Sequence, residues 1–546
     1  MKFTSNLILF LCSSMCIVSA CNNNNPAQEQ TQQKQPKDTS IVQEKNKTDE
    51  SVAGNFSTQT LYHFDSTAIK DFLKKYPDFS PFASDLRKFY RQRNYAYAWY
   101  EDSGLIEQAV SLYNRFLQIT DEGVITGLSY QKDFNALMND DDSLLTKEPM
   151  NAEAELMLTA QYFNYARKVW HGLGEKQTKE LDWYLPRKKL DLQTLLDSLL
   201  YDSNKDFIAV EPVYFQYARL KSYLKNYRAI ESAGGWPIIK PGKKAFKEGD
   251  SSASIQLLRK RLFITGDLKG DTNSMIFDND LEEAVKNFQK RNGWKEDGVA
   301  GRGVLNELNR SVTEIIKQII VNMERCRWVP YNPKGEYFLV NIPAYKLYIF
   351  NKDSMLWNMN IVAGKPVHKT VIFNGNLKYV VFSPYWNVPT SIYKKEVLPG
   401  IRRDPNYLKK HNMERIGNSV REKPGPNNSL GQVKFLFPNS YSIYMHDTPA
   451  KSLFNEDKRA FSHGCIRLSE PKKLAMYLLR NYPEWTEEKI DAAMNAGKEQ
   501  YVTLKETVPV VIAYFTAWVD TQGKLNLRQD VYNRDNQLAK MLIAKK

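Results

Sequence analysis

Two short stretches decide how this chain folds and what chemistry it holds: Ile443-Tyr-Met-His446-Asp447-Thr448-Pro449 and Ser462-His463-Gly464-Cys465-Ile-Arg467-Leu468. They place two of the six histidines, a cysteine and an arginine within 22 residues. A thiol needs a nearby base or cation to become a nucleophile at neutral pH. Histidine supplies such a base and can then protonate a leaving amine. The pattern predicts Cys465 as a nucleophile, with His446 or His463 as its base.

The neighbours of Cys465 suit acyl transfer. Gly464 lets the backbone approach a substrate closely, and backbone N–H groups at such a turn can hold an oxyanion. Arg467 can pair with a substrate carboxylate in bidentate fashion. Three other roles for Cys465 stay open here: a zinc ligand, a packed structural thiol, or a disulfide with Cys326. Zinc is disfavoured because the usual spaced ligand pairs are missing, so no metal is expected.

The chain around these stretches has the pattern of β-strands. Segments such as Tyr337-Phe-Leu-Val-Asn-Ile and Lys346-Leu-Tyr-Ile-Phe are typical of strands. We therefore expect a mostly β domain over residues 335–515. Within it, residues 398–433 are rich in Pro, Gly, Arg and Lys, and are too long for an ordinary connection. Such excursions are often lids or binding loops.

The preceding half of the chain is predicted to be helical. Apolar residues recur at helical spacing through residues 57–245, for example in Ala83–Tyr97 and Ala152–Trp170. A Pro/Gly/Lys linker follows. Residues 250–312 then read as three short helices, the second ending at Asn292-Gly293 because glycine suits the left-handed cap.

Two further segments complete a multidomain α+β prediction. Residues 313–334 form a helical connector in which Cys326 reads as a packed thiol. Residues 516–546 form a C-terminal tail, and Lys524–Leu542 is a candidate peripheral helix within it.

Composition narrows the class of protein. The chain has 546 residues, and its 42% apolar and 12% aromatic content excludes a mainly disordered protein. A mean hydropathy of −0.53 excludes a multi-span membrane protein, and five cysteines exclude a disulfide scaffold. The net charge of +14 fits an anionic polymer, a membrane surface or nucleic acid. Nucleic acid is not expected, because the chain shows no RNP motif, zinc-finger spacing or Arg-rich arm.

The N-terminus reads as an export signal. An apolar run over residues 7–20 ends in Val18-Ser19-Ala20-Cys21, which resembles a bacterial lipobox. The resemblance implies a signal peptide over 1–20, lipidation of Cys21 and a membrane anchor. Residues 21–56 are polar and nearly free of aromatics, and are expected to form a flexible tether. The mature protein would then be periplasmic and lipid-anchored.

The chain resembles two protein families. The positions Ile255-Gln256-x-Leu258, Ala284-Val285-x2-Phe288 and Asp297-Gly298-Val299 resemble small three-helix peptidoglycan-binding domains. His446, the fifteen residues that follow it and Ser462-His463-Gly464-Cys465-x-Arg467 resemble the catalytic signature of YkuD-type L,D-transpeptidases. Segments such as Ser383-Pro-Tyr-Trp386-Asn and Pro424-Gly-Pro resemble the large periplasmic YcbB-type members.

The second resemblance implies residue roles. Cys465 would attack the diaminopimelate–D-Ala bond of a peptidoglycan tetrapeptide stem, and a second stem's amine would resolve the thioester into a 3→3 cross-link. His446 would be the general base, its ring oriented by the Asp447 carbonyl, and His463 would support the thiolate or the acceptor side. The Gly464 and Cys465 amides would form the oxyanion hole. The substrate-binding residues would be Arg467, Ser462, Tyr444 and Trp386.

The resemblance also implies partners and inhibitors. Peptidoglycan stems and glycan would be bound, other wall-synthesis proteins are possible partners, and no cofactor is needed. Carbapenems are expected to acylate Cys465, and residues 398–433 would cap the donor stem. Three rivals remain: an L,D-carboxypeptidase using water as acceptor, a non-catalytic wall-binding scaffold, and a Cys–His peptidase of another fold.

Overall fold

The computed structural model describes residues 62–101, 104–139, 152–187, 189–201, 211–240, 244–329 and 335–543. The expected signal peptide (1–20), the lipidation site Cys21 and the tether (21–56) lie outside the described residues. Within those ranges, no helix has both the length and the apolar character needed to cross a bilayer.

The N-terminal region is helical and is built around one fully enclosed helix, Ala152–Tyr165, whose residues 154–165 are all buried. Buried Glu155 accepts hydrogen bonds from the Ala98 amide (2.6 Å) and the Tyr90 hydroxyl (2.8 Å). The other helices of this region are Thr67–Lys75, Ala83–Gln92, Glu107–Leu117, Gln131–Met138, Glu175–Lys179, Leu192–Tyr201 and Gln216–Ser232.

One helix is shorter than predicted. The helix expected over Ala83–Tyr97 ends at Gln92, because Asn94 and Tyr95 adopt positive φ angles of 51° and 60°. Side chains rarely continue a right-handed helix from that conformation.

The next region has a hydrophobic core of its own, centred on Leu258, Leu281 and Phe288. Three helices enclose it: Ala253–Ile264, Asn279–Asn292 and Arg302–Leu308. The second helix begins where the Asp278 side chain accepts from the Leu281 amide, and ends at Gly293 with φ +73°. The prediction of three helices and of the glycine cap is confirmed.

The region from residue 335 onward is a nine-stranded mixed sheet. Its strands, in spatial order, are Ala460–Ser462, Ser354–Gly364, Ile466–Leu468, Met445–His446, Val433–Leu436, Asn374–Phe382, Gln500–Ala513, Glu336–Asn341 and Lys346–Asn351. The last strand also pairs with the second, which closes the sheet on itself. Helices Pro471–Leu478 and Glu487–Asn495 follow the strands that carry the site.

The predicted capping loop is a small folded unit and begins earlier than expected. Strands Trp386–Asn387, Met413–Ile416 and Ser419–Glu422 form a three-stranded sheet. Short helices Thr390–Ile392, Leu398–Arg403 and Tyr407–Lys410 accompany it. Val388, Val397 and Val420 form a separate core beneath them. We call residues 386–430 the cap.

The C-terminal segment is part of the core. Helix Val312–Trp328 is buried along nearly its whole length, and Arg325 forms an ion pair with Asp535 at 2.6 Å. The candidate helix over Lys524–Leu542 is wrong in its first half. Strands Ala517–Val519 and Leu525–Leu527 pair there, and the helix spans Arg534–Ile543.

Candidate active site

Two parallel strands bring the decisive stretches together. Met445 pairs with Ile466 and His446 with Arg467, and the Ile466 amide donates to the Tyr444 carbonyl at 3.1 Å. Side chains alternate between the faces of a strand. Met445 and Ile466 therefore fill the core and are fully buried. The residues that flank them share the other face of the sheet: Tyr444, His446, Cys465 and Arg467.

The Cys465 thiol lies at the edge of this four-residue group. Burial raises its pKa, while hydrogen bonds with the Tyr444 hydroxyl and main chain and the charge of Arg467 lower it. Its Sγ lies 3.7 Å from the Ser442 carbonyl oxygen. Cys326, in contrast, is buried and forms no disulfide, so the open alternative of a Cys326–Cys465 disulfide is excluded.

His446 is held as a neutral imidazole. Its side chain is buried, and burial, together with the charge of Arg467, lowers its pKa to about 3, against the effect of the Asp447 and Leu430 carbonyls. Nδ1 lies 2.5 Å from the Asp447 carbonyl oxygen. A carbonyl oxygen only accepts, so Nδ1 carries the proton and Nε2 keeps a lone pair.

Tyr444 stands between the histidine and the thiol. Its ring centroid lies 5.7 Å from that of His446, and its hydroxyl is hydrogen-bonded to Cys465 and to the Trp386 side chain. Burial and the neighbouring Cys465 thiol raise the pKa of Tyr444. The polar neighbours of the thiol among the described residues are Ser442, Tyr444 and Arg467, and no hydrogen bond joins the thiol to His446 there. Trp386 therefore links the cap to Cys465 through Tyr444.

The Asp447 side chain is fixed by three donors that the sequence analysis did not consider. Oδ1 accepts from the Thr448 amide at 2.7 Å and from Lys451 Nζ at 2.5 Å, and Oδ2 accepts from the Gln432 amide at 2.9 Å. Gly431 (φ +64°) packs so closely beneath this carboxylate that a Cβ there would collide with it. The motif alone gave no sign of this support.

Ser462 and Gly464 are hydrogen-bonded to each other within the turn that carries Cys465. Ser462 is buried; its Oγ donates to the Cys465 carbonyl at 2.5 Å and accepts from the Gly464 amide at 3.1 Å. Ser462 therefore shapes the Cys465 turn from inside, and its contact with a substrate stays a prediction. The Gly464 amide is engaged with Ser462, and its role in an oxyanion hole also stays a prediction. Thr370, which no sequence signal identified, donates to the Gly464 carbonyl at 2.8 Å.

His463 points toward the cap. Its Nε2 lies 3.1 Å from Glu396 Oε1, and its ring lies 5.2 Å from that of His368. Burial lowers the pKa of His463, and the carboxylate of Glu396 counteracts this. The structure thus separates the two histidines: His446 faces the Tyr444–Cys465 side, and His463 faces Glu396.

Arg467 has unused hydrogen-bonding capacity. Its Nε is buried and has no partner among the described residues, and burial lowers its pKa while Cys465 raises it. A guanidinium beside a thiol, with a free donor, is suited to hold a carboxylate.

Three family models match the chain. The YkuD model, described as "L,D-transpeptidase catalytic domain", matches residues 335–511. The model described as "Scaffold domain" matches residues 84–224, and the model described as "Putative peptidoglycan binding domain" matches residues 251–308. The multidomain combination expected from the sequence is confirmed.

Individual proteins also match. A Haemophilus influenzae protein named "Putative L,D-transpeptidase" is 30% identical over 247 residues, which cover 41% of this chain and 50% of the relative. The chain thus spans half the length of that relative. Among solved structures, an L,D-transpeptidase from Stackebrandtia nassauensis is 13% identical, with a TM-score of 0.23 over 49% of this chain and 94% of its own. One from Xylanimonas cellulosilytica is 13% identical, with a TM-score of 0.18 over 50% and 100%.

Proposed function

Because residues 335–511 are a YkuD-type L,D-transpeptidase catalytic domain, we propose that this chain cross-links peptidoglycan through a Cys465 thioester. The observation that carries the proposal is the shared face of Tyr444, His446, Cys465 and Arg467. It combines a nucleophile, a neutral base and a carboxylate-binding cation. The peptidoglycan-binding-type domain over 251–308 supports the same substrate class.

The first half-reaction forms a thioester. The Cys465 thiol loses its proton toward the Tyr444–His446 side, and Sγ attacks the carbonyl carbon of the diaminopimelate–D-Ala bond. The tetrahedral intermediate collapses when the C–N bond breaks, and the proton passes to the departing D-Ala amine. His446 fits the role of proton acceptor and donor because its Nε2 lone pair is available at neutral pH.

The second half-reaction resolves the thioester. The side-chain amine of another stem attacks the same carbonyl, the C–S bond breaks, and one amine proton returns to the thiolate. The product is a 3→3 cross-link. With water as acceptor, the same steps release a tripeptide, which is carboxypeptidase activity. A β-lactam of the carbapenem class would take the place of the donor and acylate the same Sγ, because its ring C–N amide bond would open as the C–S bond forms.

Export and lipid anchoring through Cys21 are proposed on the sequence alone. A Cys21→Ala variant expressed in bacteria should lose incorporation of labelled fatty acid and leave the membrane fraction. Incorporation that survives the substitution would contradict the proposal.

The decisive test is mass spectrometry of products formed from disaccharide-tetrapeptide by the full-length chain in detergent. Dimers linked 3→3 are expected from the wild type, and none from Cys465→Ala. Cys326→Ala is the matched control, because it removes the other cysteine of the described residues. Tripeptide without dimers would establish the carboxypeptidase instead, and unchanged tetrapeptide in the wild type would overturn both.

A further inference from the structure

A cavity of about 820 Å³ lies where four parts of the chain meet. Its wall includes residues of the helical region, of the 251–308 domain, of the catalytic sheet and of the C-terminal segment, represented by Arg219, Trp294, Tyr348 and Trp518. None of Tyr444, His446, Cys465 and Arg467 lines it. The chain nevertheless connects the two places. Ala460 and Phe461 line the cavity, and their strand leads directly into the Cys465 turn. We call this space the junction cavity.

Three cations on the wall have no acidic group within ion-pair distance among the described residues. Lys346, Arg459 and Arg528 are partly buried, and none forms an ion pair within the part of the chain that the structure describes. Burial lowers the pKa of each of them. The two arginines lower the pKa of Lys346 further, and Arg459 does the same to Arg528. The three positive charges therefore act on one another across the junction cavity.

The two arginines donate hydrogen bonds to neutral backbone carbonyls. Arg459 donates to the Glu456 carbonyl at 2.8 Å, while its Nε is buried without a partner among the described residues. Arg528 donates to the Arg291 carbonyl at 2.6 Å, which ties it to the 251–308 domain. Partly buried cations without an ion-pair partner are costly, and a bound anion would relieve that cost.

Carboxylates on the same wall offset this charge only in part. Glu296 raises the pKa of Lys346 and Asp457 raises that of Arg459, but burial still leaves both pKa values lowered. Asp520 accepts from the Gln522 and Lys524 amides, and Asp530 accepts from the Tyr514 hydroxyl and the Arg534 amide. The other acidic wall residues form no ion pair with the three cations in the described ranges: Glu296, Asp353 and Asp457.

The rest of the wall suits a sugar. Trp294, Tyr348 and Trp518 supply aromatic surface, and Asn292 and Asn358 supply amide groups. Aromatic surface with a few convergent polar groups is the usual lining of a small-molecule site. A ligand that satisfies both the cations and this surface carries a carboxylate on a saccharide.

We propose that the junction cavity binds a carboxylate-bearing saccharide–peptide of the peptidoglycan class. Its carboxylate lies at Lys346, Arg459 and Arg528, and its sugar lies against Trp294 and Tyr348. The identity of the ligand rests on the function proposed above. The observation that the three cations form no ion pair among the described residues is independent of that function. Binding there holds a wall strand beside the strand that carries the nucleophile turn.

The test measures binding of disaccharide-tripeptide, which lacks the terminal D-Ala and is not a donor. Calorimetry uses the full-length chain in detergent, with Cys465→Ala in every sample. Lys346→Met should raise the Kd about tenfold, as expected for loss of one charge-assisted contact, and should weaken its salt dependence. Lys378→Met removes one exposed charge from the same sheet, outside the cavity, and should leave the Kd unchanged.

Three outcomes overturn the proposal. The first is that Lys346→Met and Lys378→Met change the Kd equally. The second is that Arg467→Gln raises the Kd and Lys346→Met does not, which would place the ligand at the active site. The third is that acetate displaces the ligand at equal carboxylate concentration, which would show that the saccharide contributes nothing to binding. Thioester formation from tetrapeptide is measured separately with Cys465 intact. Its failure in the wild type would count against the proposed catalysis, and not against the cavity.

Discussion

The Tyr444 hydroxyl is hydrogen-bonded to the Cys465 thiol, although the two residues lie 21 positions apart in the chain. The contact follows from strand register, since Met445 pairs with Ile466 in parallel and their preceding residues stand side by side. The same hydroxyl is bonded to Trp386 of the cap. The ionisation of Cys465 is therefore coupled to a residue whose expected role was substrate binding alone.

Tyr444→Phe should make Cys465 a weaker nucleophile. The hydroxyl helps to lower the pKa of the thiol, so its loss should lower the iodoacetamide alkylation rate at neutral pH about tenfold and move the rate profile to higher pH. Mass spectrometry of the Cys465 peptide measures this rate. Tyr441→Phe is the matched control, because Tyr441 is an exposed ring that packs against Phe373. An unchanged profile in Tyr444→Phe would contradict the coupling.

His446 should remain neutral well below physiological pH. Its pKa is lowered to about 3 by burial and by Arg467, so its NMR signal should not titrate between pH 8 and pH 5. The signal is assigned as the one missing from His446→Gln in ¹³C-histidine-labelled protein. A midpoint near 6.5 would show that the ring is solvated and would remove the basis for a permanently neutral base.

The same depressed pKa should reduce stability in acid. Below about pH 6.5 the unfolded chain binds a proton at His446 that the folded chain does not, so folded-state stability falls as the pH drops toward 3. At pH 5 this residue's contribution to the loss is about 2 kcal/mol relative to pH 8. Urea midpoints of wild type and His446→Gln at the two pH values test the difference. The variant should lose less on acidification.

Gly431→Ala should impair the site through Asp447. The new Cβ would collide with the Asp447 carboxylate, which holds the segment whose carbonyl contacts His446. We expect kcat/KM to fall roughly tenfold to hundredfold, as for other small misplacements of catalytic groups. Gly497→Ala is the matched control, because the φ angle of Gly497 is nearly identical to that of Gly431 (+65° against +64°) and no atom lies within contact distance of its added Cβ. Equal losses in both variants would assign the effect to backbone strain alone.

Asp535→Asn should destabilise the folded chain. Arg325 is almost fully buried and pairs with Asp535 at 2.6 Å, and Thr516 donates to the same carboxylate at 2.7 Å. Removing one partner of a buried pair costs about 3–5 kcal/mol, measured by urea unfolding. Asp404→Asn breaks an exposed pair with Lys410 and should leave the midpoint unchanged. An equally small change of the urea midpoint in Asp535→Asn would show that this ion pair of the C-terminal helix contributes little to the stability of the fold.

Much of the architecture was predictable because it depends on local signals. Apolar periodicity predicted the helices of the 251–308 domain, and Gly293 predicted the end of the second one. The early end of the helix at Gln92 was missed, because two left-handed residues leave no compositional mark. The C-terminal segment was read as peripheral, because its burial depends on helix Val312–Trp328, about 200 residues away.

The sequence by itself determined which chemistry is present: a thiol, two histidines and an arginine at family-specific spacing, set among strands. Only the tertiary structure decided which of these groups meet. Parallel register aligned Tyr444 with Cys465 and His446 with Arg467, the turn engaged the Gly464 amide with Ser462, and Glu396 of the cap drew His463 toward itself. The physical reason is that side-chain identity and spacing are encoded locally. Strand register, burial and the resulting pKa values depend instead on packing between segments that are distant in the chain.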